Sequence, residues 1–362
     1  MFQTIHRMKD PQAYKKILFD LNHPADFHFF KHLISLLQSQ DYTIKVVARN
    51  KECLHLLLDD AGIVYTSRGR GKHTLAGKYI YSVWILVVLL LALIRLRPGI
   101  TISLSSPYLA ILSRMLGIPC ITFDDTDNNP RLLPLIKKSG YLLSPATYPH
   151  QFHKNHFHLP VLKELAYLHP NLFETSEVRE GLFIRLTRTD SIHHSAASRL
   201  DEKIVIEKIN KLSHDHPVIL SSETNLEPSS NDMIRMADPT RIHRDLDGCK
   251  VFWGNSATMA AEAAVLGIPA IFVSAEKFAY ITELEAYGLL YHFHPDDLEA
   301  SFARLEELLA GDPPLSQFRE SWKRLLNEKL DMTAFMSWFV ESFPESARIL
   351  EAEPAYVRKF IQ

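Results

Sequence analysis

Lys250-Val251-Phe252-Trp253-Gly254-Asn255-Ser256-Ala257-Thr258-Met259-Ala260-Ala261-Glu262-Ala263-Ala264-Val265-Leu266-Gly267-Ile268-Pro269-Ala270-Ile271-Phe272-Val273 is the stretch from which the fold can be read. An apolar run over 250–253 stops at a small-residue turn, an Ala-rich helix follows, and Gly267-Ile268-Pro269 ends that helix before a second apolar run over 270–273. The order is strand, turn, helix, strand. Such a turn leaves the first amide N–H groups of the helix unpaired at the positive end of its dipole, a ready site for phosphate. Glu262 falls about one turn further in, on the helix face that also carries Thr258.

The pattern occurs twice. Ile102-Ser103-Leu104-Ser105-Ser106 leads through a helical segment to Leu116-Gly117-Ile118-Pro119 and the strand Cys120-Ile121-Thr122-Phe123, and Ser106 precedes Gly117 by eleven residues, as Ser256 precedes Gly267. Two copies with one ending predict two similar α/β domains facing each other across a cleft. At 362 residues the chain is long enough for both to have their own core.

With 46% apolar and 23% charged residues the composition is that of an ordinary globular protein, and a formal net charge of -2 gives no global attraction for nucleic acid or anionic lipid. Cys53, Cys120 and Cys249 are odd in number and widely spaced in apolar contexts, which favours reduced thiols and a cytoplasmic location. The first residues lack the apolar core of a signal peptide, so export is not expected.

Residues 15–21 read as a first strand that breaks into Asn22-His23-Pro24-Ala25-Asp26, with a helix expected from near Phe27. That turn contains no glycine, which argues against an NAD or FAD fingerprint. Strands are expected over 42–48 and 63–66 with a helix over 51–60 between them, and the His-, Pro- and Phe-rich stretch over 145–175 reads as a linker. The apolar run over 79–96 has an uncharged core of sixteen residues, Tyr79 to Ile94, short of the roughly 20 that cross a bilayer. It fits either a helix under the sheet or one lying in a membrane interface, its flanking Arg and Lys meeting lipid phosphates. In the second half, predicted strand ends deliver Arg185, Arg188, His193, Ser222, Glu223, Ser256 and Thr258, and such ends line the ligand crevice of an open α/β sheet.

Several blocks together, Asp20 to Phe30, Lys163 to Pro170, Phe183-Ile184-Arg185 with His193-His194, Arg241-Ile242-His243, Ser256 to Gly267, and Glu283-Leu284-Glu285 with Tyr287 to Tyr291, resemble a bacterial and archaeal family of unknown function whose members look like GT-B glycosyltransferases. More distantly, the Ser256 block is similar to the nucleotide-sugar segment of the peptidoglycan N-acetylglucosaminyltransferase and of UDP-N-acetylglucosamine 2-epimerases. The resemblance implies a GT-B-like α/β fold, two Rossmann-like αβα domains facing across a cleft: an acceptor-side domain over 12–160, a nucleotide-sugar-binding domain over 175–330, and helices over 331–362 crossing back to the first.

It also implies glycosyl transfer from a nucleotide sugar, a UDP-sugar being favoured, to a saccharide or lipid-linked acceptor of surface polysaccharide or glycolipid synthesis, with no cofactor and no metal. The donor site would draw on Arg185, His193, Ser222, Glu223, His243, Asn255, Ser256, Ala257, Thr258, Met259, Glu262 and Glu283. The diphosphate would rest on the amides of 256–259, Arg185 would neutralise the leaving group, and Glu262 would accept from the ribose hydroxyls. The catalytic base would come from His23, Asp26 or His28. Relatives often carry a Gly pair where this chain has Ser256-Ala257, and a second His where it has Asp26, so the base stays open among the three. Asp125-Thr126-Asp127 is similar to an acidic triplet that holds a metal-bound nucleotide in some sugar transferases, but acidic residues at a strand end are ordinarily solvated turn formers. His153, His156 and His158 alternate, so only two could share a face, short of a zinc site. A nucleotide-sugar 2-epimerase and a non-catalytic sugar-nucleotide-binding protein are the alternatives. The epimerase would need acidic residues around the sugar and an Arg in the first loop, where this chain has His, Pro and Asp.

Overall fold

Ile17, Leu18, Phe19 and Leu21 are wholly buried in β1 (Lys16–Leu21), an apolar run without polar alternation, as a parallel strand covered on both faces requires. The computed structural model describes residues 14–72, 74–125, 140–187, 200–223, 232–311 and 313–361. The chain divides into two units, one of residues up to Tyr167 together with those from Leu330 onward, the other Leu168–Lys329.

In the first unit β1 is followed by α1 (Pro24–Ser39), β2 (Thr43–Ala48), α2 (Leu54–Asp60), β3 (Tyr65–Ser67), α3 (Leu75–Leu96), β4 (Ile100–Leu104), α4 (Pro107–Met115), β5 (Cys120–Phe123), β6 (Tyr141–Pro145) and β7 (His156–Leu159). The strands form one parallel sheet in the order β3-β2-β1-β4-β5-β6-β7. The second unit holds β8 (Leu182–Leu186), α5 (Glu202–Leu212), β9 (Val218–Ser222), β10 (Ile234–Met236), α6 (Ile242–Asp247), β11 (Val251–Gly254), α7 (Ala257–Val265), β12 (Ala270–Val273), α8 (Ala279–Tyr287), β13 (Leu290–Phe293), α9 (Leu298–Ala310) and α10 (Leu315–Glu328). Its parallel sheet runs β10-β9-β8-β11-β12-β13. Counted within each unit, both orders begin 3-2-1-4-5-6, the doubly wound arrangement whose switch point lies between the first and fourth strands.

The repeated sequence pattern occupies the same place in both sheets, as β4-α4-β5 and as β11-α7-β12. Ser106 and Ser256 cap their helices with extended backbone, each hydroxyl accepting an N–H three residues on. Gly117 and Gly267 then turn left-handed, at φ 66° and 72°, and the amides of Ile118 and Ile268 return to Ser113 and Ala263, both at 2.9 Å. One difference is already visible: Ser106 is fully buried and its hydroxyl donates to the buried carboxyl of Asp20.

α11 (Met332–Glu341) and α12 (Glu345–Ala352) belong to the first unit. Leu330 N–H donates to the Pro160 carbonyl at 3.1 Å, Thr333 Oγ1 to that of Ala166 at 2.7 Å, and Phe343 meets Tyr141 edge to face.

Two expectations need correction. α1 starts at Pro24, not near Phe27, because proline at the first helical position is pre-set for a helix and His23 supplies the cap. The stretch over 145–175 is not simply a linker, since β7 within it pairs with β6 from Leu142↔His156 to Pro145↔Leu159. His156 there is buried, hydrogen-bonded to Ser144 at 2.8 Å and stacked on Phe152, and burial pushes its pKa down to about 4. Among the described residues no cluster of three His, Cys, Asp or Glu side chains is arranged to hold a metal ion.

Candidate functional site

The second unit gathers several of the expected side chains at the carboxyl ends of β8, β9 and β11. Gly254 ends β11 where a Cβ would lie 2.3 Å from the Arg185 carbonyl oxygen, so the close approach of β11 to β8 requires glycine. The next residue fastens the two strand ends. Asn255 Oδ1 accepts from Thr187 N–H and hydroxyl at 2.7 and 3.1 Å, its Nδ2 donates to the Thr187 carbonyl at 3.1 Å, and its own N–H donates to the Arg185 carbonyl at 3.2 Å. Asn255 is thus a clamp whose side-chain amide is spent on protein. Ser256, Ala257 and Thr258 follow half-exposed at the start of α7. The Ser256 hydroxyl takes the Met259 N–H at 3.4 Å, which removes that amide from the expected phosphate cradle and leaves those of Ala257 and Thr258 in it.

Glu262, one turn along α7, is 4% exposed. Its Oε1 lies 3.1 Å from Nε2 of His243, itself buried on α6. An ionised carboxylate can only accept, so that nitrogen carries the proton. Arg185 is half-buried, its guanidinium donating to Ser221 Oγ at 2.7 Å and pairing with Glu223 at the end of β9. Ser221 was not anticipated, although parallel pairing places it opposite Arg185. Ser222 ends the same strand half-exposed. Glu283 is engaged elsewhere, in an ion pair with the buried Lys329. His193, Arg188, Thr126 and Asp127 lie outside the described residues.

In the first unit the turn after β1 is organised as a helix cap. His23 Nδ1 accepts from Ala25 N–H at 3.2 Å, while Asp26 Oδ2 reaches back to Asn22 N–H at 2.7 Å. Asp26 is 4% exposed, and burial raises its pKa to about 6 in spite of that hydrogen bond. His23 Nε2 stands 3.4 Å from Glu52, whose carboxyl is drawn down to about 2, chiefly by its hydrogen bond to His23. Because Nδ1 is accepting, neutral His23 carries its proton on Nε2 and directs it at Glu52. His28 is half-exposed between the rings of Phe27 and Tyr167. Nothing in the local sequence marks Glu52, which lies 29 positions after His23.

Further along the same sheet, Asp124 accepts from Ser105 and Tyr148, and Asp125 pairs with Lys163. Asp124, Asp125 and Lys163 border a small open pocket whose walls are mostly apolar, among them Phe29, Phe123 and Leu143.

Each of the two sheets carries the Rossmann order, in a chain whose last helices belong to the first unit. The fold is GT-B-like. The UDP-GlcNAc 2-epimerase of Methanocaldococcus jannaschii in complex with UDP-GlcNAc and UDP is similar to this chain with a TM-score of 0.61 at 14% identity, over 81% of this chain and 92% of that one. The spinosyn forosaminyltransferase SpnP gives 0.59 at 14% identity, over 90% and 98%, and Acinetobacter baumannii MurG gives 0.54 at 12%, over 91% and 100%. No protein-family model matches the sequence, and no curated protein matches it. At such identities the GT-B-like likeness is one of fold.

Proposed function

We propose that this chain is a metal-independent glycosyltransferase. It moves a sugar from a nucleotide-sugar donor, with UDP-sugars favoured, to a hydroxyl of a saccharide or lipid-linked acceptor in surface polysaccharide or glycolipid synthesis, on the cytoplasmic side of the membrane. The observation that carries this reading is the accessible start of α7 one turn before the buried Glu262–His243 pair. The amides of Ala257 and Thr258 take the donor diphosphate, and Glu262, oriented by His243, accepts from the ribose hydroxyls. Arg185, within reach of the same strand ends, offsets the charge that grows on the leaving diphosphate.

In the reaction the acceptor hydroxyl oxygen bonds to the anomeric carbon, and the bond from that carbon to the diphosphate oxygen breaks. The electron pair leaves on the nucleoside diphosphate. The acceptor proton goes to His23 Nδ1, where the hydroxyl replaces the Ala25 N–H, and Glu52 stabilises the imidazolium that forms. Asp26 ties that loop back through Asn22 N–H, and the apolar pocket beside Lys163 suits an acceptor with an apolar part.

A 2-epimerase is the second reading, favoured by the fold likeness to the Methanocaldococcus jannaschii enzyme. Incubating the protein with single nucleotide sugars separates the two. Slow release of nucleoside diphosphate supports transfer, an isomerised donor supports epimerisation, and binding without turnover leaves a sugar-nucleotide-binding protein.

A further inference from the structure

α3 has two apolar faces, and among the described residues only one of them is packed. Ile85, Leu89, Ala92 and Leu93 are buried against Leu18, Val47, Leu109 and Leu112, which fixes the helix to the first sheet. On the other side Ile80, Trp84, Val87, Leu91 and Ile94 follow at spacings of four and three residues and are between 42% and 67% exposed. Tyr79 and Val83 widen this stripe, at 74% and 47%. A continuous stripe of large apolar side chains is not a normal solvated face.

The charge around it is one-sided. Between Asp60 and Asp124 the sequence contains seven Lys or Arg and no Asp or Glu, in a chain whose formal net charge is -2. Arg68 is buried, whereas Arg70, Lys72, Lys78, Arg95, Arg97 and Arg114 are exposed, grouped toward both ends of α3 and on α4 packed beside it. A stripe of Trp, Tyr, Leu, Ile and Val flanked by cations matches the interface of an anionic bilayer, acyl chains below and phosphates beside them.

At about 33 Å the helix is as long as a bilayer core is thick, so length does not decide between lying on a membrane and crossing it. Packing does, since a crossing helix would have to abandon the core it shares with β1, β2 and α4.

We propose that the outer face of α3 is a docking surface for the anionic phospholipid bilayer, on which the helix lies flat. This inference does not depend on the reaction. It has a consequence for it, because Trp84 Nε1 donates to the Arg68 carbonyl at 3.2 Å, and Arg68 in turn holds Asn22, next to His23. The docked face is therefore one residue removed from the turn assigned to the acceptor.

The test is flotation of the full chain with phosphatidylcholine vesicles, with and without phosphatidylglycerol. The expected result is flotation with the anionic vesicles at low salt, about tenfold weaker binding at high salt, and little with phosphatidylcholine alone. The triple variant Ile80→Gln, Val87→Gln, Leu91→Gln should lose flotation while keeping the thermal unfolding of the parent. Should that variant fail to fold, Lys78→Glu with Arg95→Glu, which alters only exposed charges, should weaken anionic-vesicle binding about tenfold. The proposal is overturned by absence of flotation with anionic vesicles, by flotation that a folded variant leaves unchanged, by resistance to carbonate extraction, or by a lipid-free dimer that the triple variant converts to monomer.

Discussion

His243 presents Nε2 to Glu262 Oε1 at 3.1 Å with both side chains buried, so the carboxylate proposed to meet the ribose is already oriented. Glu262→Ala removes a charged acceptor and should weaken UDP binding by about 1–3 kcal/mol in calorimetric titration. His243→Ala leaves the carboxylate present but unsteadied, and should both lower stability and weaken UDP. Unchanged UDP affinity in Glu262→Ala would remove Glu262 from the donor site.

Asp26 makes stability depend on pH in a calculable direction. Its folded pKa, raised to about 6 by burial, lies above the ordinary 3.8, so between these values the folded chain binds more protons than the unfolded one. Its contribution therefore falls as pH rises through that window and stays unfavourable above it, by on the order of 2–3 kcal/mol. Asp26→Asn keeps an acceptor for Asn22 N–H and should raise the urea midpoint at pH 7 while flattening the slope between pH 4 and 6. An unchanged slope would show that Asp26 does not titrate there.

Removing Glu52 should separate chemistry from binding. Its carboxyl, held at about 2, stays charged throughout the working range, so the pH–rate profile should have no limb near 4.5 from this group. Glu52→Gln should lower kcat by about tenfold to a hundredfold with donor KM unchanged, and His23→Ala should lose turnover while still binding UDP. A donor KM that moves with kcat would place the pair outside the acceptor chemistry.

The two serine caps should differ in cost. Ser256→Ala loses one cap, about 1 kcal/mol, whereas Ser106→Ala also strips a hydrogen bond from buried Asp20 and should cost about 1–3 kcal/mol more. Denaturant midpoints of the two variants test the order, and equal midpoints would refute it.

Gly254→Ala would drive a methyl group into the Arg185 carbonyl and part β8 from β11. A loss of about 1–3 kcal/mol is expected, with weakened UDP binding because Arg185 and the Asn255 clamp move with their strands. Thermal unfolding and calorimetry together check it.

The two similar α/β units were legible because the Leu-Gly-Ile-Pro endings carry their own mechanism: a left-handed glycine, a returning amide and a proline that cannot continue the helix. β7 was not, because His-Phe-His-Leu is four residues long and shows alternation only once β6 is beside it. The start of α1 was misplaced although Pro24 announced it. Partners such as Glu52 and Ser221 are produced by the sheet, which brings distant positions together, and no local spacing records them. Glu283 sits within a stretch that resembles the family, yet its ion pair with Lys329 is a contact only the fold reveals.

The Asp20–Ser106 bond makes two look-alike helix starts chemically unequal. In the first unit the capping serine is bonded to a buried carboxyl and shut away from water. In the second the matching serine is open on that side. The two copies of the repeated pattern are thereby made unequal, one helix start tied down by a buried carboxyl and the other left accessible, and it is the accessible one on which the proposed donor site is built.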